Sequence, residues 1–179
     1  TSRAALTPEM KLTVKAVKKA VRFLKKQNAK KINGYYYGIV HPDCSYDLTE
    51  DARWIDAVKY KNPERIYNGE IGEIEGARFV ETTEAKIWAK AGAAKSTSDT
   101  TKIDVYGTLI FGANAYATTK IEGGGLKTII KQLGSAGTGD PLDQRATVGW
   151  KALKVTEILT EAYMIRIETA STFSDGEAN

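Results

Sequence analysis

The stretch from Pro8 to Lys31 constrains the fold of this chain most, because it combines a helical apolar period with a strong positive charge. Thr7 can cap a helix, Pro8 suits its first position, and Glu9 suits its first turn. The sequence therefore predicts a long helix from Pro8 to about Asn28. Its apolar residues form a narrow stripe that must dock on another part of the fold, namely Met10, Val14, Val17, Val21 and Leu24.

Basic residues occupy a separate side of the same predicted helix. Between Pro8 and Lys31 nine basic residues stand against Glu9 alone, a local charge of +8 in a chain whose net charge is +4. A charge so concentrated indicates acidic or anionic partners, although a solvated helix face is the simpler interpretation. The predicted cationic ridge consists of Lys11, Lys15, Lys18, Lys19, Arg22, Lys25 and Lys26.

The remaining sequence predicts an α+β fold. A chain of 179 residues makes one ordinary domain or two small ones. Its helical and strand-like segments alternate without the regular rhythm of a doubly wound fold. We predict a strand at 35–40, a helical region at 43–60 broken near Thr49, a hairpin around Gly76 at 71–80, and further strands at 105–111, 127–133 and 163–168.

Residues that could form an enzyme site are too few. The chain has one histidine, His41, and one cysteine, Cys44, so a structural zinc site or a catalytic dyad lacks the other groups it needs. The glycines at 123–125 do not have the lysine spacing of a phosphate-binding loop. The sequence contains no run of 18 apolar residues, the pattern that would suggest a membrane span. We therefore predict neither an enzyme nor a cofactor, metal or membrane partner.

Aromatic residues leave one alternative open. Trp54, Trp88, Trp150 and the tyrosines at 35–37 could stack on bases beside the basic ridge. Such residues more often anchor a core or an interface. The alternative function is thus a small basic nucleic-acid-binding module that uses the lysine-rich helix at 8–31.

The chain contains several separated motifs, namely Ile39-Val40-His41-Pro42-Asp43, Tyr46-Asp47-Leu48, Trp54-Ile55, the run at 62–72, Arg78-Phe79-Val80-Glu81-Thr82-Thr83 and the run at 134–151. In this order they resemble the major capsid family of tailed bacteriophages named for the coat protein of coliphage N four. The resemblance spans about Thr7 to Ala170. Intact members are expected to carry an N-terminal arm and an extended loop before the long helix, and neither matches here, so we expect an N-terminally truncated fragment.

The resemblance implies the Hong Kong 97-like phage capsid fold. On this hypothesis residues 1–40 contribute the spine helix and part of the peripheral domain. Residues 41–150 form the mixed α/β axial domain, and residues 151–179 return a strand to the peripheral domain.

The resemblance also implies a function in assembly. The chain is expected to be a structural subunit of a tailed phage or prophage shell that assembles in the bacterial host cytoplasm. Its partners would be further copies in hexamers and pentamers, scaffold or portal proteins, and packaged double-stranded DNA contacted without base specificity. Our candidate residues for contacts between subunits are Arg65, Glu70 and Arg145, and the cationic ridge is the candidate surface for DNA or an acidic partner.

Overall fold

The computed structural model describes residues 2–61, 71–120, 124–135 and 137–173. It divides into two units, which we call the sheet unit (Thr1–Ala115 with Thr160–Asn179) and the arm (Tyr116–Leu159). These boundaries differ from the predicted division at 1–40, 41–150 and 151–179, whose assignment to parts of a shell subunit stays a prediction. Within the described residues, no helix has both the length and the apolar character that crossing a bilayer requires.

The first helix, α1 (Val14–Lys26), carries four of the five residues of the predicted apolar stripe; the fifth, Met10, lies before the helix and is 47% exposed. Its buried residues are Val14, Val17, Ala20, Val21 and Leu24. This spacing places them along one side of the helix, and they pack into the main core. The prediction of a docked amphipathic helix is therefore confirmed from Val14 to Leu24.

The predicted start of that helix is wrong. The helix begins at Val14, and Thr13 is its N-cap, with the Thr13 side chain accepting a hydrogen bond from Ala16 N–H at 3.3 Å. Asp51 Oδ2 accepts the Val14 N–H at 2.9 Å, so two acceptors satisfy the first turn there. The preceding residues run beside the last strand, where Lys11 forms a parallel bridge with Ala170. Lys11 therefore lies outside the helix, and Thr7 does not cap it.

The sheet unit is built on a six-stranded mixed sheet. The strands are β1 (Tyr36–Val40), β2 (Glu73–Ile74), β3 (Ala77–Glu81), β4 (Ile87–Trp88), β5 (Val105–Phe111) and the last strand of the chain, β10 (Met164–Thr169). The strand order is β10-β5-β1-β3-β2, and β4 also pairs with β5. β1 and β3 are parallel, while β5 runs antiparallel to both β1 and β10.

Two further helices, α2 (Pro42–Thr49) and α3 (Ala52–Lys61), follow β1 in the chain. The predicted break near Thr49 is confirmed. Asp51, which precedes α3, accepts the Arg53 N–H through its side chain at 2.9 Å and so stabilises the start of that helix. The core contains residues of α1, α2 and α3 together with alternate residues of the sheet. Gly38 lies in β1 against Phe79, and a Cβ at Gly38 would come within 2.6 Å of the phenyl ring. The glycine is therefore required by close packing.

The hairpin predicted around Gly76 is also present. β2 and β3 pair antiparallel, with Ile74 opposite Ala77. The two turn residues, Glu75 and Gly76, have φ values of 52° and 83°. Two successive residues with positive φ are typical of the tight turns that match the twist of a hairpin. The predicted strands at 35–40, 105–111 and 163–168 correspond to β1, β5 and β10.

The arm is a two-stranded antiparallel ribbon. β6 (Tyr116–Thr118) pairs with β9 (Thr156–Ile158), and β7 (Lys127–Lys131) pairs with β8 (Thr147–Lys151). Between these two pairings, Thr119 N–H donates to the Val155 carbonyl at 2.9 Å and Leu153 N–H donates to the Gly124 carbonyl at 2.8 Å. The sequence predicts β7 but neither β8 nor β9.

Candidate functional site

The cationic side of α1 is the first candidate surface. Six of the seven predicted ridge residues lie on α1, and all six are exposed. At 100° per residue they occupy an arc of about 120°, separate from the buried stripe. We call this set the helix ridge; it consists of Lys15, Lys18, Lys19, Arg22, Lys25 and Lys26. Lys11, the seventh predicted member, is exposed but lies outside the helix.

Few acidic groups balance the helix ridge. α1 itself contains no acidic residue. Lys18 Nζ lies 3.2 Å from Glu75 Oε1, and both side chains are largely exposed, so this ion pair contributes little stability. Among the described residues, the other five ridge cations form no ion pair. The ridge is therefore an electropositive surface open to an anionic partner.

Arg145, a predicted interface residue, lies on the arm between the short turn at Gly137–Gly139 and β8. Its backbone N–H donates to Asp140 Oδ2 at 2.6 Å, which holds the loop, while the Arg145 side chain is exposed. Within the described ranges its guanidinium has no acidic partner. Arg65 and Glu70, the other two predicted interface residues, lie outside the described residues.

The β7–β8 ribbon presents a second surface, which the sequence analysis missed. Cross-strand pairing places Ile130 opposite Val148 and Thr128 opposite Trp150, so these four side chains share one face. Ile130 is 64% exposed, Val148 74% and Trp150 75%. We call this the apolar face of the arm. The opposite face carries Lys127, Lys131 and Lys151 and is called the lysine face.

An exposed apolar face of this kind is unusual for a free protein surface. Two-stranded ribbons are marginally stable alone in water and normally need a further layer against their apolar side. The available signal was the alternation of polar and apolar residues around Val148 and Trp150 in 147–151; residues 127–131 do not alternate, because Ile129 and Ile130 are adjacent. An exposed apolar face on a two-stranded ribbon is typical of a surface that a further layer covers.

Trp88 lies among charged groups in the sheet unit. The Arg3 guanidinium stacks over the Trp88 ring with its central carbon 4.0 Å from the ring centroid, and that of Arg166 lies at 5.1 Å. Arg3 also donates two hydrogen bonds of 2.9 Å to the Glu168 carboxylate. The hydrogen bonds from Arg3 hold the pKa of Glu168 below its usual value. This cluster fastens the start of the described chain to β10.

His41 and Cys44 do not form a reactive site. Both are buried at the start of α2, where His41 is the N-cap and its Nδ1 accepts the Asp43 N–H at 3.3 Å. Burial raises the pKa of Cys44 to about 12, although a contact of 3.8 Å with Thr169 Oγ1 opposes the shift. The Cys44 thiol is therefore protonated at neutral pH and a poor nucleophile. In the part of the chain described, no three histidine, cysteine or carboxylate side chains gather into a possible metal site.

Comparison with protein families identifies the chain's class. The sequence model of a family described as phage capsid protein matches residues 2–133, well over half of the chain. The chain belongs to this phage capsid protein family. Phage capsid proteins are structural components of virions and not enzymes, in agreement with the predictions of a structural subunit and a virion location.

Solved structures with the same fold include the capsid of Ralstonia phage GP4, with a TM-score of 0.66 at 15% sequence identity, covering 100% of this chain and 52% of that one. The capsid of cyanophage Pam1 gives a TM-score of 0.71 at 11% identity, and the match covers 96% of this chain and 50% of that one. The SrpI encapsulin complex of Synechococcus elongatus gives a TM-score of 0.54 at 8% identity, and the match covers 96% of this chain and 54% of that one. This phage capsid protein therefore has the Hong Kong 97-like α+β fold, as predicted.

The chain spans about half the length of these solved capsid chains. No curated protein sequence matches it. The family and the fold rest on independent comparisons, one of sequence and one of structure.

Proposed function

We propose that this chain belongs to the major capsid protein of a tailed bacteriophage or prophage, which assembles through hexamers and pentamers into an icosahedral shell around double-stranded DNA. The observation that carries the proposal is the match of residues 2–133 to the phage capsid protein family. The Hong Kong 97-like fold supports it. Within that family we assign the chain to the relatives of the coliphage N four coat protein, on the motifs at 39–43 and 134–151.

Assembly of such a shell requires contacts between different surfaces of identical copies. Contacts of this kind close into rings, and many weak contacts acting together stabilise a shell. Arg145 suits such a contact because its guanidinium is exposed and has no acidic partner among the described residues. A carboxylate of a neighbouring copy would accept two hydrogen bonds from it. Arg65 and Glu70 stay in the proposal as predicted contact residues.

The helix ridge is the proposed surface for packaged DNA or for an acidic protein such as a scaffold or portal component. Five of its six cations are free of ion pairs within the described residues, so anions can approach them without breaking a contact. Lysine and arginine attract phosphates without reading base sequence, which suits the inside of a container. We place assembly in the cytoplasm of the bacterial host.

The proposal is tested by expressing the gene that encodes this chain in bacteria and separating the products by sedimentation and negative-stain electron microscopy. We expect closed shells from the wild type. Arg145→Glu should leave only free subunits with unchanged circular dichroism, because it reverses the charge at the contact. Arg145→Lys keeps the charge and should still give shells. Normal shells from Arg145→Glu would remove Arg145 from the interface, and free wild-type subunits alone would refute the capsid function.

A small nucleic-acid-binding module is the second candidate, favoured by the low number of acidic groups near the helix ridge. It predicts micromolar or tighter binding of short DNA at physiological salt, with a steep salt dependence, and no particles. Particles in the expression test exclude it as the main function.

A further inference from the structure

The lysine face of the arm combines three cations with a defined register. Lys127 lies directly opposite Lys151, and Lys131 lies opposite Thr147 on the same face. Between these two rows Ile129 faces Gly149. All three lysines are exposed. Alternation along the strands places this face opposite the apolar face.

This arrangement is unfavourable for the isolated arm. Like charges directly across two strands destabilise the pair, and Lys127 and Lys151 are such a pair. No acidic residue occurs in 127–131 or 147–151, so neither strand supplies a balancing carboxylate. An arm with this face gains stability when an external anion lies against it.

The two faces of the arm require different partners. Ile130, Val148 and Trp150 suit an apolar protein surface, since their exposure to water is unfavourable. Once protein covers that side, the lysine face is the side of the ribbon that remains open. The partner of the lysine face must be anionic, and either a protein or a nucleic acid could supply the charge.

Residue type favours nucleic acid over an acidic protein surface. Protein interfaces are depleted in lysine and enriched in arginine, whose planar fork matches carboxylates. The face contains lysine alone as its cation. Lysine is a flexible point charge that contacts phosphates without geometric demands. A Cβ at Gly149 would meet nothing within 4 Å, so the Gly149 side of the centre is open to close approach by a rod-shaped ligand, next to the partly exposed Ile129.

We propose that Lys127, Lys131 and Lys151 on the arm form a second binding surface for the phosphate backbone of double-stranded DNA, separate from the helix ridge. Lys127 and Lys131 are four residues apart, about 13 Å along a strand. Double-stranded DNA carries one charge per roughly 1.7 Å of its axis, so all three ammonium groups can reach phosphates at once. The presence of DNA beside the arm rests on the proposed capsid function, whereas the binding itself is a property of this chain.

The test measures binding of the 179-residue chain to a labelled duplex of about 20 base pairs by fluorescence anisotropy over a range of salt concentrations. The test variant is Lys127→Gln/Lys131→Gln/Lys151→Gln. The matched control, Lys90→Gln/Lys95→Gln/Lys102→Gln, removes the same charge from three exposed lysines of the sheet unit. A third variant, Lys127→Arg/Lys131→Arg/Lys151→Arg, keeps the charge. Circular dichroism checks the fold of each.

We expect the slope of log K against log salt to be less steep in the test variant by about 2 to 3, because each lost phosphate contact removes about 0.9 from the magnitude of this slope. The control should change the slope by less than about 1, and the arginine variant should bind as the wild type does. Equal losses in the test and control variants would overturn the proposal, since net charge would then explain both. Unchanged binding by the test variant would overturn it as well.

Polyglutamate binding that depends on the three lysines, together with DNA binding that does not depend on them, would assign the face to an acidic protein instead and overturn the proposal. Failure of the lysine-face proposal can be told apart from failure of the proposed capsid function. If shells form but the test variant binds DNA as the wild type does, only the lysine-face proposal is refuted. Lysine-dependent DNA binding without any shells refutes only the capsid function.

Discussion

Asp51 stabilises two helices at once, and removing its side chain should destabilise the sheet unit measurably. Its Oδ2 accepts the Val14 N–H at the start of α1, and its Oδ1 accepts the Arg53 N–H at the start of α3, each at 2.9 Å. Replacing an N-cap acceptor by alanine costs about 1 kcal/mol for each helix. The carboxylate also lies at the positive ends of both helix dipoles, which adds a few tenths of a kcal/mol.

For Asp51→Ala we therefore expect a loss of about 2 kcal/mol in the free energy of unfolding. In a chain of this size that corresponds to a fall of roughly 4–8 °C in the melting temperature. Thermal unfolding followed by the helical circular dichroism signal at 222 nm measures it. Asp51→Asn keeps one acceptor oxygen but places an NH2 donor where the second oxygen accepts, so it should lose at least half as much.

Thr13→Ala is the second control, because it removes only the acceptor for the Ala16 N–H and leaves both bonds to Asp51 intact. It should cost about half as much as Asp51→Ala. A melting temperature of Asp51→Ala within 1 °C of the wild type would refute the reasoning. A wild-type melting temperature for Asp51→Asn would contradict it as well, since that variant loses one of the two acceptor oxygens and the charge.

Two further predictions follow from shifted pKa values. The hydrogen bonds from Arg3 lower the pKa of Glu168 below 4.5, so the ionised carboxylate stabilises the fold above that pH, and this stabilisation is lost as the pH falls through the lowered pKa. The melting temperature of Glu168→Gln should therefore fall less between about pH 5 and pH 3 than that of the wild type. A profile identical to that of the wild type would contradict this. Burial raises the pKa of Cys44 to about 12, so at pH 8 Ellman's reagent should modify the native thiol more than about a hundredfold more slowly than the thiol in urea, and equal rates would disprove its protection.

Local spacing was sufficient to predict much of the sheet unit. The buried stripe of α1 and the strands β1, β5 and β10 depend on apolar periods within a few residues. The start of α1 depends instead on Asp51, which is 37 positions away in the chain. Thr7 and Pro8 form a plausible local start signal, but the residues before Val14 pair beside β10 instead. A tertiary contact therefore overrides the local signal.

The arm was predicted less well, for a related reason. Neither face of the β7–β8 ribbon is buried, and the polar–apolar alternation of Thr147–Lys151 is short and passes through Gly149, so β8 was missed although β7 was predicted. The lysine face exists only through the register that places Lys127 opposite Lys151. No pattern within one segment reveals that pairing. Arg145 was predicted from a motif, and its exposed side chain is consistent with the proposed contact without testing it.

Cryo-electron microscopy of material purified after expression of the encoding gene is the most direct test that the chain builds a shell. We expect closed icosahedral particles whose repeating density contains the sheet with strand order β10-β5-β1-β3-β2 and places the apolar face of the arm against protein. Material that remains as separate subunits under all conditions, or particles whose density has no place for this fold, would contradict the account.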